Sequence, residues 1–222
     1  LKALSGLAKF LGMYESFKGL VKAYGLKWKT ANAEDLIIAR LTRVNGNSDI
    51  LKWISEVKTK ISKLNDFMDF VSASGLRYEE AITSYNLIID LARERKLNDY
   101  YNAEKEVLEH YRFKKLFIRR TKKAFITFIP KKFIETISKR EKLTRFQIDN
   151  WIKRNGFKSR FNEIREYYAT FTTKWLSQPE IDFLQGRVSA NVFMRNYFNP
   201  AWISDLKERT FKAIKEIENQ IS

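Results

Sequence analysis

Helix-breaking residues are scarce in this sequence and fall at only a few places. The 222 residues include eight Gly and three Pro, and the clearest breaks are at Asn45-Gly46, Ser74-Gly75, Asn155-Gly156 and Asn199-Pro200. Between the breaks, hydrophobic residues recur at spacings of three and four, which is typical of amphipathic helices. The sequence therefore predicts a mostly α fold. The predicted helices span residues 3–24, 33–44, 49–73, 78–95, 145–154, 161–175, 178–185, 189–198 and 203–217.

One region has the character of β-structure. Residues 116–118 and 124–129 are short, β-branched or aromatic runs, and they flank the basic segment Arg119–Lys123. Pro130 ends the second run, and such a pattern is typical of strands joined by a turn. We therefore predict a hairpin or a three-stranded sheet there, which makes the fold class mostly α with a small antiparallel β-sheet (α+β).

The charge balance indicates the kind of partner. The chain has 42 Lys and Arg against 26 Asp and Glu, a formal charge of +16. A polyanion is the expected partner, because Lys and Arg placed on phosphates release condensed counterions. The apolar runs are all shorter than the roughly 20 residues that a membrane span requires, so we expect no membrane partner.

Several chemistries are excluded by residues that the chain lacks. It has no Cys, which removes disulfides, thiol nucleophiles and zinc ribbons, and it has a single His, His110. Serine-protease-type triads and histidine metal sites are therefore nearly excluded. Because His110 lies among Glu109, Tyr111 and Arg112, we expect it to be exposed.

Four short stretches carry residues suited to phosphate chemistry. The first places Arg77 just after Gly75, and the second is the basic turn 119–123. The third is residues 162–170, with Arg165, and the fourth is residues 183–187, followed ten residues after Arg187 by Tyr197. An Arg guanidinium gives bidentate hydrogen bonds to phosphate and keeps its charge near pH 7, whereas Tyr is a possible nucleophile.

The order of these stretches resembles that in the tyrosine recombinase (phage-integrase) family. The residues within and around them are most similar to those of integrases of archaeal viruses and plasmids. The resemblance covers roughly residues 72–198. The matching positions are Gly75-Leu76-Arg77 with Glu80 for the first arginine box, Lys122 for the β-hairpin lysine, Asn162-x-x-Arg165 with Ala169-Thr170 for the His-x-x-Arg box, Gly186-Arg187 for the Gly-His pair, and Tyr197 for the nucleophile. Asn162 and Arg187 depart from the family's histidines.

The resemblance implies a site-specific recombinase that cleaves and rejoins DNA through a 3′-phosphotyrosyl link, without a cofactor or a metal. The implied catalytic residues are Tyr197 as nucleophile, Arg77, Arg165 and Arg187 as phosphate-binding cations, Lys122 as the acid, and Asn162. Lys122 has the cations Arg119, Arg120 and Lys123 beside it, and Lys123 or Arg120 could take its place as the acid. From its residue type, Asn162 is better suited to capping a helix or hydrogen bonding a phosphate than to proton transfer.

The remaining expectations concern partners and organisation. Double-stranded DNA carrying an attachment site is the expected partner, bound by Lys114, Lys115, Arg119, Arg120 and Lys123. We expect a tetramer on DNA, a monomer or weak oligomer when free, and a location in the host cytoplasm on the nucleoid. Residues 1–28 are interpreted as the last helix of a preceding DNA-clamping domain, with a linker to about 31 and a catalytic domain over 32–222. Because residue 1 is Leu, we expect a fragment or processed product, and the composition leans weakly thermophilic.

Two other functions stay open from the sequence: a type IB topoisomerase-like DNA-relaxing enzyme, and a catalytically silent basic DNA-binding factor. The position of the last helix is also open. Its apolar stripe from Ile203 to Ile217 must be buried either on its own domain or, as the resemblance suggests, on a neighbouring protomer.

Overall fold

A computed structural model describes residues 2–26, 34, 37–38, 47–120, 122–188, 196 and 198–221. The chain divides into two compact units, Leu1–Asn45 and Gly46–Ser222. The linker expected near residue 31 lies within the first unit and outside the described residues. The predicted helices over 33–44 and 189–198 also fall largely outside the described residues.

Residues 2–26, the described start of the first unit, form two helices where the sequence predicted one helix over 3–24. Helix α1 spans Lys2–Phe10 and α2 spans Tyr14–Ala23. The continuous helix predicted over 3–24 was wrong because Gly12 adopts a left-handed conformation with φ of +70°. The Met13 N–H then donates to the Ala8 carbonyl at 2.8 Å, a bond that closes a helix end.

The second unit is mostly helical, with short connections. Among the described residues its α-helices are α3 (Asn47–Lys60), α4 (Asn65–Ser74), α5 (Tyr78–Arg93), α6 (Lys114–Phe117), α7 (Lys131–Ile137), α8 (Arg145–Arg154), α9 (Phe161–Phe171), α10 (Gln178–Leu184) and α11 (Leu206–Ile221). In the described ranges, no helix combines the length and the apolar character needed to cross a membrane.

Local sequence signals account for several helix boundaries. The capping box at Thr144 is formed, since the Gln147 N–H donates to the Thr144 hydroxyl at 3.2 Å and the Thr144 N–H donates to the Gln147 side chain at 2.8 Å. The Ser177 N–H donates to Glu180 at 2.7 Å in the same way. Both predicted capping boxes are confirmed.

The helix predicted over 49–73 is interrupted. It ends at Lys60, continues as a 3-10 turn over Ser62–Leu64, and restarts at Asn65. No Gly or Pro marks this break in the sequence, and Asp66 lies in the first turn of α4, where the helix dipole favours a carboxylate. The predicted inward face is buried nevertheless, because the side chains on either side of the break still point to one core.

The sheet has three antiparallel strands in the order β1-β2-β3: Tyr101–Asn102, Val107–Leu108 and Thr127–Phe128. A small antiparallel sheet was predicted and is confirmed, but the strand over 116–118 was wrong. Phe117 belongs instead to the short helix α6, with its ring fully buried 4.4 Å from the imidazole of His110. Across the basic turn of the predicted hairpin, Ile118 and Lys123 form an antiparallel bridge.

The core of the second unit lies between α3, α4, α5 and α9. Aromatic rings fill its centre, where Tyr78 stacks on Phe161 at 4.1 Å between ring centroids and Phe67 packs edge-on to both Phe161 and Tyr85. Helix α11 completes this core with Ile214, Ile217 and Ile221. Leu206, at the start of the helix, is buried in a second cluster with Leu176, Ile181 and Leu184.

The last helix therefore packs on its own domain rather than presenting its apolar stripe to a neighbouring protomer. It runs from Leu206 to Ile221, shifted toward the C-terminus from the predicted 203–217. Arg209 fixes it to the start of α10, since its Nη1 and Nη2 donate to the two carboxylate oxygens of Glu180 at 2.9 and 2.5 Å. This ion pair holds the pKa of Glu180 at about 2.

His110 was predicted to be exposed, and this was wrong, because it is fully buried. Its Nδ1 lies 2.6 Å from the Tyr100 hydroxyl and its Nε2 lies 2.8 Å from the Thr127 hydroxyl. Burial lowers the pKa of His110 to about 3. The polar neighbours in the sequence gave the wrong indication because the ring points away from them into the core.

Candidate active site

Two glycine turns carry two of the predicted arginines. Gly75 ends α4 with φ of +59°, and Gly186 follows α10 with φ of +65°. A methyl group at Gly75 would lie 2.4 Å from the Tyr168 ring, and one at Gly186 would lie 1.7 Å from the Lys123 carbonyl oxygen. Both the backbone angle and the packing thus demand glycine.

Arg165 joins these two turns. It lies on α9, only 9% exposed, and its Nη1 donates to the Gly75 carbonyl at 2.8 Å. Its Nη2 donates to the Gln185 carbonyl at 2.6 Å. Each of these carbonyls lies two residues before a predicted catalytic arginine, so Arg165 fixes the backbone that carries both of the others.

The three guanidinium groups act on one another electrostatically. Burial, together with the positive charges of Arg77 and Arg187, lowers the pKa of Arg165 to about 9, against the opposing charge of Glu80. Holding three cations this close is unfavourable unless an anion is bound among them. The structure thus brings together Arg77, Arg165 and Arg187, which are far apart in the sequence.

Arg77 is oriented by a buried carboxylate. Its Nη1 donates to the two oxygens of Glu80 at 2.9 and 3.1 Å, and Glu80 is 2% exposed. The Nη2 of Arg119 lies 3.4 Å from the same carboxylate. Glu80 was noted in the sequence as part of a motif, and in the structure it holds one predicted catalytic cation and one predicted DNA-binding cation.

The basic turn is tied to both glycine turns through the Lys123 backbone. The Lys123 carbonyl accepts a hydrogen bond from Arg77 Nη1 at 3.2 Å and lies directly against Gly186. Within the turn, the Arg119 N–H donates to the Lys122 carbonyl at 2.9 Å. The side chain of Lys122 is therefore presented from a backbone that Arg77 and Gly186 hold in place.

A cavity of about 250 Å³ opens beside these residues. It brings Lys122 and Asn162 to the same surface as Arg77. The residues that line it are Arg77, Tyr78, Glu79, Arg119, Lys122, Arg145, Ser159, Phe161 and Asn162. Asn162 is exposed at the start of α9, one turn before Arg165.

Other predicted residues lie elsewhere. Lys114 and Lys115 are exposed on α6, and Arg120 is exposed in the basic turn, but the residues lining the cavity do not include them. Lys123 contributes its carbonyl to the site, and its side chain is half-buried. Tyr197, the predicted nucleophile, lies outside the described residues.

Sequence reasoning missed three contributors. Arg145 reaches the cavity wall from α8, where it pairs with Glu79 and Asp149, and Ser159 lines the same wall. Gln185 lies beneath the site, and its place directly before Gly186-Arg187 was the one available signal. Nothing in the local sequence of Arg145 or Ser159 indicated a site, because both reach it through tertiary packing.

The arrangement is suited to binding a phosphodiester. Planar guanidinium groups on a fixed backbone can hold non-bridging oxygens, and an exposed ammonium group nearby can approach a leaving oxygen. Asn162 can hydrogen bond to a phosphate but cannot transfer a proton near neutral pH.

A family model described as archaeal phage integrase matches residues 42–212. This match spans most of the chain and includes all of the candidate catalytic positions. Neither the curated proteins nor the solved structures give a match to this sequence.

Proposed function

Since the chain belongs to the archaeal phage integrase family, we propose that it is a site-specific DNA recombinase that integrates or excises a mobile element through a covalent 3′-phosphotyrosyl intermediate. The observation that carries this proposal is the set of three arginines held on two glycine turns and α9. Such a cluster is suited to a phosphate that gains negative charge during the reaction.

The proposed reaction has Tyr197 as the nucleophile. Its phenol oxygen attacks the scissile phosphorus and loses its proton to solvent, and the bond from phosphorus to the 5′-oxygen breaks. The leaving 5′-oxygen takes a proton from Lys122, while the 3′-phosphate stays on Tyr197. A 5′-hydroxyl then attacks the phosphotyrosine to rejoin the strand, so the energy of the broken bond is conserved.

Lys122 is favoured over its neighbours as the acid by where it lies. Its side chain lines the cavity with Arg77 and Asn162, whereas Lys123 contributes a carbonyl and Arg120 does not line the cavity. Arg77, Arg165 and Arg187 would stabilise the charge on the non-bridging oxygens, and Asn162 would add a neutral hydrogen bond.

The test is formation of a covalent adduct. A library of nicked suicide duplexes with randomised cores supplies candidate sites, and adducts that survive SDS are isolated on denaturing gels and sequenced. We expect an adduct with the wild-type protein and none with Tyr197→Phe. Tyr111→Phe is the matched control, since Tyr111 is an exposed tyrosine outside the candidate site and should leave the adduct unchanged.

Other results would favour the alternatives. Relaxation of supercoiled DNA without joining of paired sites would indicate a type IB topoisomerase-like enzyme. DNA binding without any adduct would indicate a silent DNA-binding factor. With a full attachment site we expect a tetramer on DNA, measured by analytical ultracentrifugation, and we expect the protein to associate with DNA in the host cell.

A further inference from the structure

Gln185 lies in the fourth stretch, residues 183–187, with no role assigned to it there, yet it is tied to Arg165 in both directions. Its side-chain Nε2 donates to the main-chain carbonyl of Arg165 at 3.1 Å. Its own main-chain carbonyl accepts from Arg165 Nη2 at 2.6 Å. Gln185 is 1% exposed, so water does not compete for these bonds.

The position of Arg187 depends on the same turn. Arg187 follows Gln185 by two residues, and its side chain is 43% exposed with a long 3.8 Å ion pair to Asp182. Its N–H donates to the Asp182 carbonyl at 2.7 Å, which fixes the backbone. The position of Arg187 is therefore fixed by the backbone of the turn and not by contacts of its exposed side chain.

We propose that Gln185 is a positioning residue that sets the separation between the guanidinium groups of Arg165 and Arg187, and with it the shape of the phosphate site. The inference rests on the proposed function. Gln185 acts through the two arginines, because its bonds reach Arg165 directly and its backbone continues into Gly186-Arg187.

A second observation is that burying this amide also has a cost in stability. The Oε1 of Gln185 is buried and has no hydrogen-bond partner among the described residues. A buried acceptor without a partner lowers stability, and an apolar side chain of the same length would avoid that cost. Such a cost is usual where a residue serves function.

The two roles predict different results for Gln185→Met, which keeps length and loses the amide. A positioning role predicts that cleavage falls while the melting temperature changes by less than about 4 °C or rises. A merely structural role predicts that both fall together. Gln185→Glu is the second variant, with the same shape and no donor, and it should show the same loss of cleavage.

The measurement is single-turnover cleavage of a suicide duplex at saturating DNA, with DNA affinity and melting recorded for each variant. We expect Gln185→Met to cleave about ten- to a hundredfold more slowly, since small misplacements of catalytic groups have effects of that size. The matched control is Thr172→Val, which removes a buried 2.8 Å bond to the Tyr168 carbonyl of α9. Its cleavage should stay within about threefold of wild type.

A double-mutant cycle tests whether Gln185 acts on cleavage through Arg187. In an Arg187→Ala background the effect of Gln185→Met should shrink to less than about threefold, because the two residues act as one unit. Equal cleavage by wild type and both Gln185 variants would overturn the inference alone. So would a loss of the same size with and without Arg187, accompanied by lower melting. No adduct with the wild-type protein would overturn the proposed function, and this inference with it.

Discussion

Gly186 and Gly156 have the same left-handed backbone but different surroundings. Their φ angles are +65° and +78°. A methyl group at Gly156 would meet nothing within 4 Å, whereas one at Gly186 would collide with the Lys123 carbonyl. The pair therefore separates the effect of backbone strain from the effect of close packing at the site.

We expect Gly186→Ala to abolish cleavage, because the Lys123 carbonyl must move. This movement would displace Lys122 and disturb the hydrogen bond that the Lys123 carbonyl accepts from Arg77. Gly156→Ala should lose stability of about 1 kcal/mol from the backbone angle and keep cleavage. Adduct formation and thermal melting measure the two effects. Equal cleavage by both variants would contradict a role for the Lys123 carbonyl.

Arg77 and Arg165 should respond differently to truncation. Arg77→Ala removes a partly exposed cation and should slow cleavage about 10²–10³-fold with the fold retained. Arg165→Ala should also lower the free energy of unfolding by about 1–3 kcal/mol, because the Gly75 and Gln185 carbonyls lose their donor. Exposed Arg154 is the control, and Arg154→Ala should change neither quantity. An Arg165→Ala protein as stable as wild type would contradict the joining role.

The residues of the site fall into two groups: those that a local sequence motif predicts, and those that only tertiary packing brings to the site. Arg77, Arg165 and Arg187 could be predicted because each lies in a short pattern with a glycine or a fixed spacing. The role of the Lys123 carbonyl could not, since it depends on packing against Gly186, which is far away in the sequence. Arg145 is of the same kind, and a single sequence carries no local mark of such contacts.

At the scale of elements, helices were predicted better than strands. The period of hydrophobic residues identifies the 16-residue α5 closely, and the capping box at Thr144 with the Asn155-Gly156 break identifies the bounds of α8. The strands of the sheet have two residues each, too few for an alternating pattern to be read. Phe117 and its neighbours had strand-like composition, but core packing placed them in a helical turn.

The buried His110 links the segment after α5 to strand β3, and it makes this linkage sensitive to acid. The ordinary pKa is 6.5 and the folded value is about 3, so the unfolded chain takes up a proton that the folded protein does not. Stability is therefore full above about pH 6.5 and falls as the pH drops toward 3, by up to about 1.4 kcal/mol per unit.

We expect His110→Gln, which can hydrogen bond but does not titrate, to flatten this dependence. Urea unfolding between pH 6.5 and 5 is the measurement, since most carboxylates stay ionised there and contribute equally to both proteins. The same slope in both proteins would show that His110 is not the source.

Helix α11 is a second element whose packing makes a definite prediction. Ile217 is fully buried, and Ile217→Ala should lower the free energy of unfolding by about 2–5 kcal/mol. Lys215→Ala, on the exposed face, should stay within about 0.5 kcal/mol of wild type. Chemical denaturation tests this, and a stable, soluble protein after deletion of residues 201–222 would contradict core packing on the same domain.

Across the whole molecule, internal ion pairs do not neutralise the excess of positive charge. Many cations form ion pairs with the 26 carboxylates, as Arg209 does with Glu180, but 42 cations leave a formal excess of +16. Exposed Lys and Arg side chains lie on α6 and on the basic turn, whose backbone is held by Arg77. A long anionic partner can therefore touch the site and its surroundings together.

DNA binding should accordingly be dominated by phosphate contacts. With about 6–10 of them, affinity should fall by roughly 10³–10⁵ between 50 and 200 mM salt. The triple variant Lys114→Ala, Lys115→Ala, Arg120→Ala should reduce the slope of log affinity against log salt by about one for each phosphate that is no longer bound. The control removes three exposed lysines outside α6 and the basic turn, Lys139, Lys153 and Lys215, for the same change in net charge. If binding depends on local interactions with phosphates, only the first set changes the slope strongly. Equal slopes for the two triple variants would mean that net charge alone attracts the DNA, and an affinity that barely responds to salt would contradict phosphate-dominated binding altogether.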